Sequence, residues 1–228
     1  MGALPIHRVR PPVAGAEPVG AEIISPRAFR REAAADPGAL VEAVAAGHRS
    51  ARETLFREHA RYVERVLARV LGDGPDIADT MQDVFIQIFE GIRGLRDPSK
   101  LKSWIRCVTV MTARKRIRSR RRARWLTFWP HGSDELEAES HDPDDADLAA
   151  LRATYRVLDR LPTDLRIVFA LRFVEQMELT EIAEATGVSL ATTKRHLRKA
   201  QDRFAAFARR EPALGEWISP LPGGSADE

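Results

Sequence analysis

The sequence predicts an all-α protein: two small helical domains joined by a flexible acidic linker. Three observations lead there. Apolar residues recur at three- and four-residue spacing through most of residues 38–208, the period of helices that bury one face. The run Ser133–Asp147, SDELEAESHDPDDAD, then breaks that pattern with eight acids and no Lys or Arg, the signature of a solvated, self-repelling linker. Finally, Leu179–Phe204 carries helical apolar spacing on both sides of Gly187, so it reads as two helices joined by a tight turn.

Composition bounds the function. With 228 residues, 44% hydrophobic and 30% charged, the chain suffices for one large domain or two small ones. No apolar run approaches the roughly 20 residues needed to cross a bilayer, and the opening MGALPIHRVRPPVAGAEPVG lacks an apolar signal core. A cytoplasmic protein without membrane insertion is therefore expected. The single cysteine, Cys107, excludes an internal disulfide framework and a multi-thiolate metal cluster, and is more often a buried small residue than a nucleophile. His7, His48, His59, His131, His141 and His196 are scattered, and no phosphate-binding loop, HExxH or Gly-x-Ser-x-Gly is present. Neither an enzyme nor a cofactor or metal site is expected.

In chain order, residues 1–35 are rich in Pro, Ala, Gly and Arg and read as a mobile extension. Asp36-Pro37 starts a short helix, Gly38–Ala46, that Gly47 ends. Ser50 and Glu53 have capping-box spacing before a long helix to Leu71, whose stripe is Leu55, Phe56, Tyr62, Val63, Val66, Leu67, Val70 and Leu71. A third helix, Asp76 to Gly91, buries Ile77, Met81, Val84, Phe85, Ile88 and Phe89. Its other face carries Asp76, Asp79, Gln82, Asp83, Gln87 and Glu90 with hardly a cation. That face is either solvated or a docking surface for a basic partner.

A loop follows, Gly91–Ser99, with Ser99 expected to cap the next helix. That helix, Lys100–Arg122, has the stripe Leu101, Trp104, Ile105, Val108 and Thr112, and its second half is dense in arginine. From Lys100 to Arg124 there is no acid at all. One-sided charge of this density is relieved when phosphates displace counterions, which favours nucleic acid over an anionic membrane. Trp104 belongs to the core stripe. Trp125, Phe128 and Trp129 are open to three readings: stacking on bases, packing on the helical domain, or meeting another protein.

About twenty linker residues at roughly 3.3 Å each span up to about 65 Å, around 20 base pairs of duplex. Beyond them, Leu148, Leu151, Tyr155, Leu158 and Leu161 open the second domain. Thr163 is placed to cap a helix that buries Leu165, Val168, Phe169, Leu171 and Phe173 against the helical pair. In that pair Gly187 takes the left-handed turn and Ser189 caps the second helix, which exposes Thr192, Lys194, Arg195, Arg198 and Lys199. This is a helix-turn-helix with a face suited to a major groove, or an ordinary helical hairpin with a basic face. Residues 209–228 form an irregular tail.

The run DIADTMQDVFIQIFEGI, then LKSWIR with a basic helix, then the acidic linker, then LPTDLRIVFALRFVEQMELTEIAEATGVSLATTKRHLRKA resembles the extracytoplasmic-function group of sigma-70 family RNA polymerase sigma factors. The match covers about residues 38–208. It implies a sigma region 2 domain over 36–124, a linker over 125–146 and a region 4 domain over 147–208. Core RNA polymerase would be the main partner, its β′ clamp helices docking on Asp79, Gln82, Asp83 and Gln87 and its β flap on region 4. Bases flipped from the −10 non-template strand would meet Arg96, Asp97, Ser99, Lys100 and Lys102, while Arg106, Arg114, Lys115 and Arg118 hold the strand. The −35 duplex would be read by Ser189, Thr192, Lys194, Arg195, Arg198 and Lys199. An anti-sigma factor is a further implied partner.

Departures from the family pattern fall at the −10 site and in region 4. Met111 and Lys115 stand where members commonly carry Asn and Asp, Asp97-Pro98-Ser99-Lys100 replaces a small polar run, Glu178 replaces a capping Ser, and Thr193 replaces a valine. The alternative function is a stand-alone helix-turn-helix regulator that binds duplex DNA without polymerase. No heptad seam for dimerisation supports it.

Overall fold

The computed structural model describes residues 36–72, 76–126 and 143–214, and among these every regular element is helical. Helix α1 (Pro37–Ala45) starts where Asp36 accepts the Gly38 N–H at 3.1 Å with proline in the first turn. Helix α2 (Arg49–Leu71) begins one residue before the expected Ser50 cap. His48 holds the cap position without a side-chain bond, and an Arg49–Glu53 ion pair of 2.9 Å lies across the first turn. Gly72, at φ 80°, ends it, and a Cβ there would come within 3.0 Å of the Tyr155 ring, so no other residue fits this junction unstrained.

Helix α3 (Asp76–Gly91) leads through short 3₁₀ turns to α4 (Leu101–Leu126). The cap expected of Ser99 is supplied by Asp97, which accepts the Ser99 N–H at 3.0 Å and its hydroxyl at 2.7 Å. The aspartate reaches the orphan N–H from outside the turn, whereas Ser99 lies inside it. Helix α5 (Pro143–Arg160) starts four residues before the anticipated boundary. Pro162, not Thr163, occupies the cap position of α6 (Thr163–Phe169), which runs on through a π-helical turn, Ala170–Val174. Gln176, at φ 60°, completes that turn before α7 (Leu179–Thr186) and α8 (Leu190–Ala208).

Helices α1–α4 pack around α2, whose Leu55, Val63, Val66, Leu67 and Val70 are fully buried. Two residues of the anticipated stripes lie at the surface: Phe56 is 42% exposed, its ring 4.6 Å from that of Phe85, and Leu148 is 41% exposed. The larger correction concerns the core. Each domain was expected to bury its own apolar face, yet Ile167, Val168, Leu171, Met177 and Ile182 of the second unit continue the core of the first. Separate clusters hold α5 to α8, one around Leu158, Leu161 and Phe169, another around Val157, Ala208 and Leu214.

The two units meet where α7 packs on α4 and also at the C-terminal end of α2. Arg166, 3% exposed, donates to the carbonyls of Val70 at 3.0 Å and Leu71 at 2.9 Å and pairs with Asp159. Its planar fork thus satisfies carbonyls that the end of a helix leaves without partners. The Tyr155 hydroxyl approaches the Ala68 carbonyl at 3.3 Å beside it. Glu175, carried by the π turn, binds Arg69 at 2.6 Å and Arg65 at 3.2 Å.

Replacing Arg166 with Ala is expected to lower the unfolding free energy by about 3 kcal/mol, because two carbonyls lose their donor in a site closed to water. Arg166→Lys should not restore it, since one ammonium cannot reproduce the fork. Urea denaturation of the three proteins checks both statements.

Candidate nucleic-acid interface

In the helix-turn-helix, Gly187 adopts the left-handed conformation (φ 70°) that ends α7. Ser189 accepts the Thr192 N–H at 3.2 Å and so caps α8. Its hydroxyl also lies 3.0 Å from the Thr192 hydroxyl, which Arg195 approaches at 3.5 Å. Lys194, Arg195, Arg198 and Lys199 are exposed, so α8 presents a cationic face to solvent, with Thr192 half-buried at its start. Thr193 is fully buried, and its hydroxyl donates to the Ser189 carbonyl at 3.1 Å. A valine-sized side chain with a local acceptor leaves the packing intact. Glu178, in place of a capping serine, has its N–H bound by Glu181 at 3.1 Å.

Around the start of α4, Arg96, Asp97, Ser99, Lys100 and Lys102 are all exposed. Asp97 serves the turn: its bonds from the Ser99 hydroxyl and N–H hold its carboxyl below the usual range. Trp104 is half-buried over Gly91, where a Cβ would meet its ring at 3.1 Å, consistent with the core role read from its spacing. Farther along α4 the cations part company. Lys115 is exposed, whereas Arg106 binds Glu181 at 2.8 Å and the Tyr62 hydroxyl at 3.2 Å. Arg114 lies 3.1 Å from Asp164 and donates to the Thr186 carbonyl at 3.3 Å, and Arg118 approaches Asp164 at 3.5 Å. The nine −10 candidates are therefore not one open surface: the first five and Lys115 face solvent, and Arg106, Arg114 and Arg118 engage the second unit. Spacing alone gave no sign of these contacts, because the positions of acids along one helix do not say which other helix will face them.

On α3, Asp79, Gln82, Asp83 and Gln87 are exposed together along one face. Gln87 also donates to Thr112 of α4 at 3.0 Å. Among them sits Ile86, 45% exposed, which the sequence reading passed over. The signal was available: Ile86 falls outside the stripe formed by Val84, Phe85 and Ile88, in a helix otherwise polar on that side. Asp76 behaves differently from its neighbours. It binds Arg116 at 2.8 Å and Arg120 of α4, and these two hydrogen bonds pull its carboxyl down to about 2. Trp125, Phe128 and Trp129 fall outside the residues whose side chains are described.

Since the folded-state value for Asp76 lies below the ordinary 3.8, its contribution to stability is complete above that pH and is lost as pH falls through about 2. Arg116→Ala should raise the Asp76 titration midpoint toward 3.8, as read from carboxyl chemical shifts, and should move the acid-unfolding midpoint upward.

Comparison with known proteins gives these surfaces a common setting. Residues 55–123 match the Sigma-70 region 2 family, and residues 151–201 match Sigma-70, region 4; together they cover more than half of the chain. The ECF RNA polymerase sigma factor SigE of Mycolicibacterium smegmatis is 28% identical over 160 residues, 68% of this chain and 60% of that protein. The ECF RNA polymerase sigma-E factor of Haemophilus influenzae is 26% identical over 178 residues, 72% of this chain and 90% of its own length. RNA polymerase sigma factor SigV of Bacillus subtilis is 27% identical over 147 residues, 64% of this chain and 84% of SigV. Among solved structures, CnrH in complex with the cytosolic domain of CnrY shares the fold, with a TM-score of 0.53 and 21% identity over 77% of this chain and 99% of that one. An exposed acidic helix, an arginine-rich helix and a capped helix-turn-helix thus stand in the order of sigma regions 2 and 4, and the chain belongs to the extracytoplasmic-function group of the sigma-70 family of RNA polymerase sigma factors.

Proposed function

We propose that this chain binds core RNA polymerase and directs initiation at its own class of promoter, reading the −35 element as duplex and capturing the melted −10 non-template strand. The observation that carries the reading is the exposed cationic face of α8, set on a capped helix-turn-helix in the same chain as the acidic face of α3. A recognition helix with Arg195 and Arg198 outward supplies bidentate donors for base edges, with Lys194 and Lys199 for phosphates. The α3 face offers Asp79, Gln82, Asp83 and Gln87 around the apolar side chain of Ile86, the layout of a docking patch with a buried centre and a polar rim. Its partner in this reading is the β′ clamp helices of the polymerase.

Arg96, Ser99, Lys100 and Lys102 then meet unstacked bases and the adjoining backbone, and Lys115 with the freed α4 arginines holds the strand. Met111, 48% exposed beside Lys115, offers an apolar surface where relatives carry an amide, so the −10 preference is expected to differ from theirs. A protein regulator that covers these surfaces is the remaining expected partner; the fold-sharing CnrH was solved with the cytosolic domain of another protein. Among the described residues no helix is long and apolar enough to cross a membrane, consistent with action in the compartment that holds the polymerase.

Run-off transcription with purified core enzyme, on DNA from upstream of the protein's own coding region, tests the reading. Initiation that depends on this chain supports it. Absence of initiation with active core, together with tight operator binding by the chain alone, would favour a stand-alone regulator. Arg195→Ala and Arg198→Ala should each weaken promoter use by about 1–3 kcal/mol, whereas Lys194→Ala should lower the salt slope of DNA binding by about one unit across sequences. Asp83→Lys should reduce core affinity while leaving the circular dichroism spectrum unchanged.

A further inference from the structure

We propose, resting on the sigma-factor reading above, that Met111 reads one base of the melted −10 strand by apolar contact and selects thymine through its 5-methyl group. Helix α4 contains no acid and is dense in arginine beyond Met111. Among its described side chains, Met111 is the one large apolar group that is exposed, at 48%. It takes part in none of the apolar clusters formed by the described residues, so packing within the chain gives it no task.

Its neighbours give the position meaning. Lys100, Trp104, Val108, Met111 and Lys115 follow one another at steps of three and four residues, so they lie along one face of the helix and of the turn that leads into it. The two lysines are exposed, Trp104 and Val108 are half-buried, and Met111 stands out between the cations. At 1.5 Å of rise per residue the lysines are roughly 20 Å apart, a span along which they can hold backbone phosphates at both ends. The stretch between them offers mainly carbon and sulfur to the bases that such a backbone carries. The Met111 sulfur, a weak acceptor, already lies 3.4 Å from the Arg114 guanidinium, and the side chain has no donor. A phosphate gains nothing from such a group. The polar edge of adenine, guanine or cytosine placed against it loses water without a replacement bond. Thymine alone among the DNA bases carries an apolar substituent, the C5-methyl group, and an unbranched thioether adapts readily to it. Burial of one methyl group corresponds to a preference of about fourfold.

Run-off transcription with core enzyme and the full-length chain tests this on promoters that carry thymine, deoxyuridine, 5-methylcytosine or cytosine at each −10 position of the non-template strand in turn. At one position the parent chain should initiate about fourfold better from thymine than from deoxyuridine, and from 5-methylcytosine than from cytosine. Met111→Ala and Met111→Asn should abolish both preferences at that position and leave the other positions as they are in the parent. Because Met111 is exposed, both variants are expected to keep the fold, which circular dichroism checks. Comparing parent with variant separates the side chain from any effect of the methyl group on the duplex itself. A methyl preference that is absent at every position, or undiminished in both variants, would overturn the assignment. So would an equal loss of initiation from all templates in the variants, which would place Met111 against protein rather than a base. Absence of initiation by the parent chain with active core would instead defeat the sigma-factor reading, and the role of Met111 with it.

Discussion

The arrangement of this protein depends on one buried cation. Arg166 reaches across from α6 to the last carbonyls of α2 and pairs with Asp159, so a charged side chain that is 3% exposed has its donors directed at acceptors. Burying a guanidinium without such partners would be prohibitive, so this contact admits little displacement. It specifies where the second unit sits rather than adding much net stability. Tyr155 over Gly72 and Glu175 between Arg65 and Arg69 follow from the same placement, and together they aim α6 and α7 along α4. The π turn after α6 and the left-handed Gln176 bring Glu175 into line, a local irregularity where a regular helix would carry the carboxylate past its partners.

The arginine-rich helix α4 explains the rest of the electrostatics. Its cations are answered in two directions. Toward α3, Arg116 and Arg120 hold Asp76 and hold its carboxyl at about 2, which locks the two helices of region 2 together. Toward region 4, Arg106, Arg114 and Arg118 meet Glu181 and Asp164, whose carboxylates are more exposed than that of Asp76. The first set joins two helices of one unit, and the second joins the two units. The cations of the two helices are consequently placed differently: those of α8 face solvent, whereas three arginines of α4 are paired with acids of the second unit.

Several departures from the family pattern become intelligible at the level of individual atoms. Thr193 is accommodated in the core of the helix-turn-helix because its hydroxyl finds the Ser189 carbonyl, and Glu178 begins α7 with help from Glu181. Asp97 ties down the turn ahead of α4, leaving the exposed Arg96, Lys100 and Lys102 around it. Met111 stands at the surface with its sulfur 3.4 Å from Arg114, so this face is less polar than an amide would make it. Asp97 and Met111 therefore change the surface of α4 and the turn before it, while Thr193 and Glu178 leave the helix-turn-helix scaffold in place.

The sequence by itself determined the helices and the chemistry of their faces. Spacing of apolar residues marked the stripes of α2, α3 and α4, Gly72 and Gly187 marked two ends, Ser189 marked a cap, and the separation of acids from cations marked an acidic face on α3 and a cationic one on α8. These are local properties, set by helical period and by the backbone conformations that glycine and serine permit. The errors were local too: Ser50, Ser99 and Thr163 each have capping chemistry but lie inside the turn whose N–H groups need it. Only the tertiary structure decided that Val168, Leu171 and Ile182 bury against the first unit, that Arg166 ends α2, and that Arg106, Arg114 and Arg118 meet carboxylates. Those pairings join residues dozens of positions apart, and periodicity along one helix carries no information about which other helix will face it.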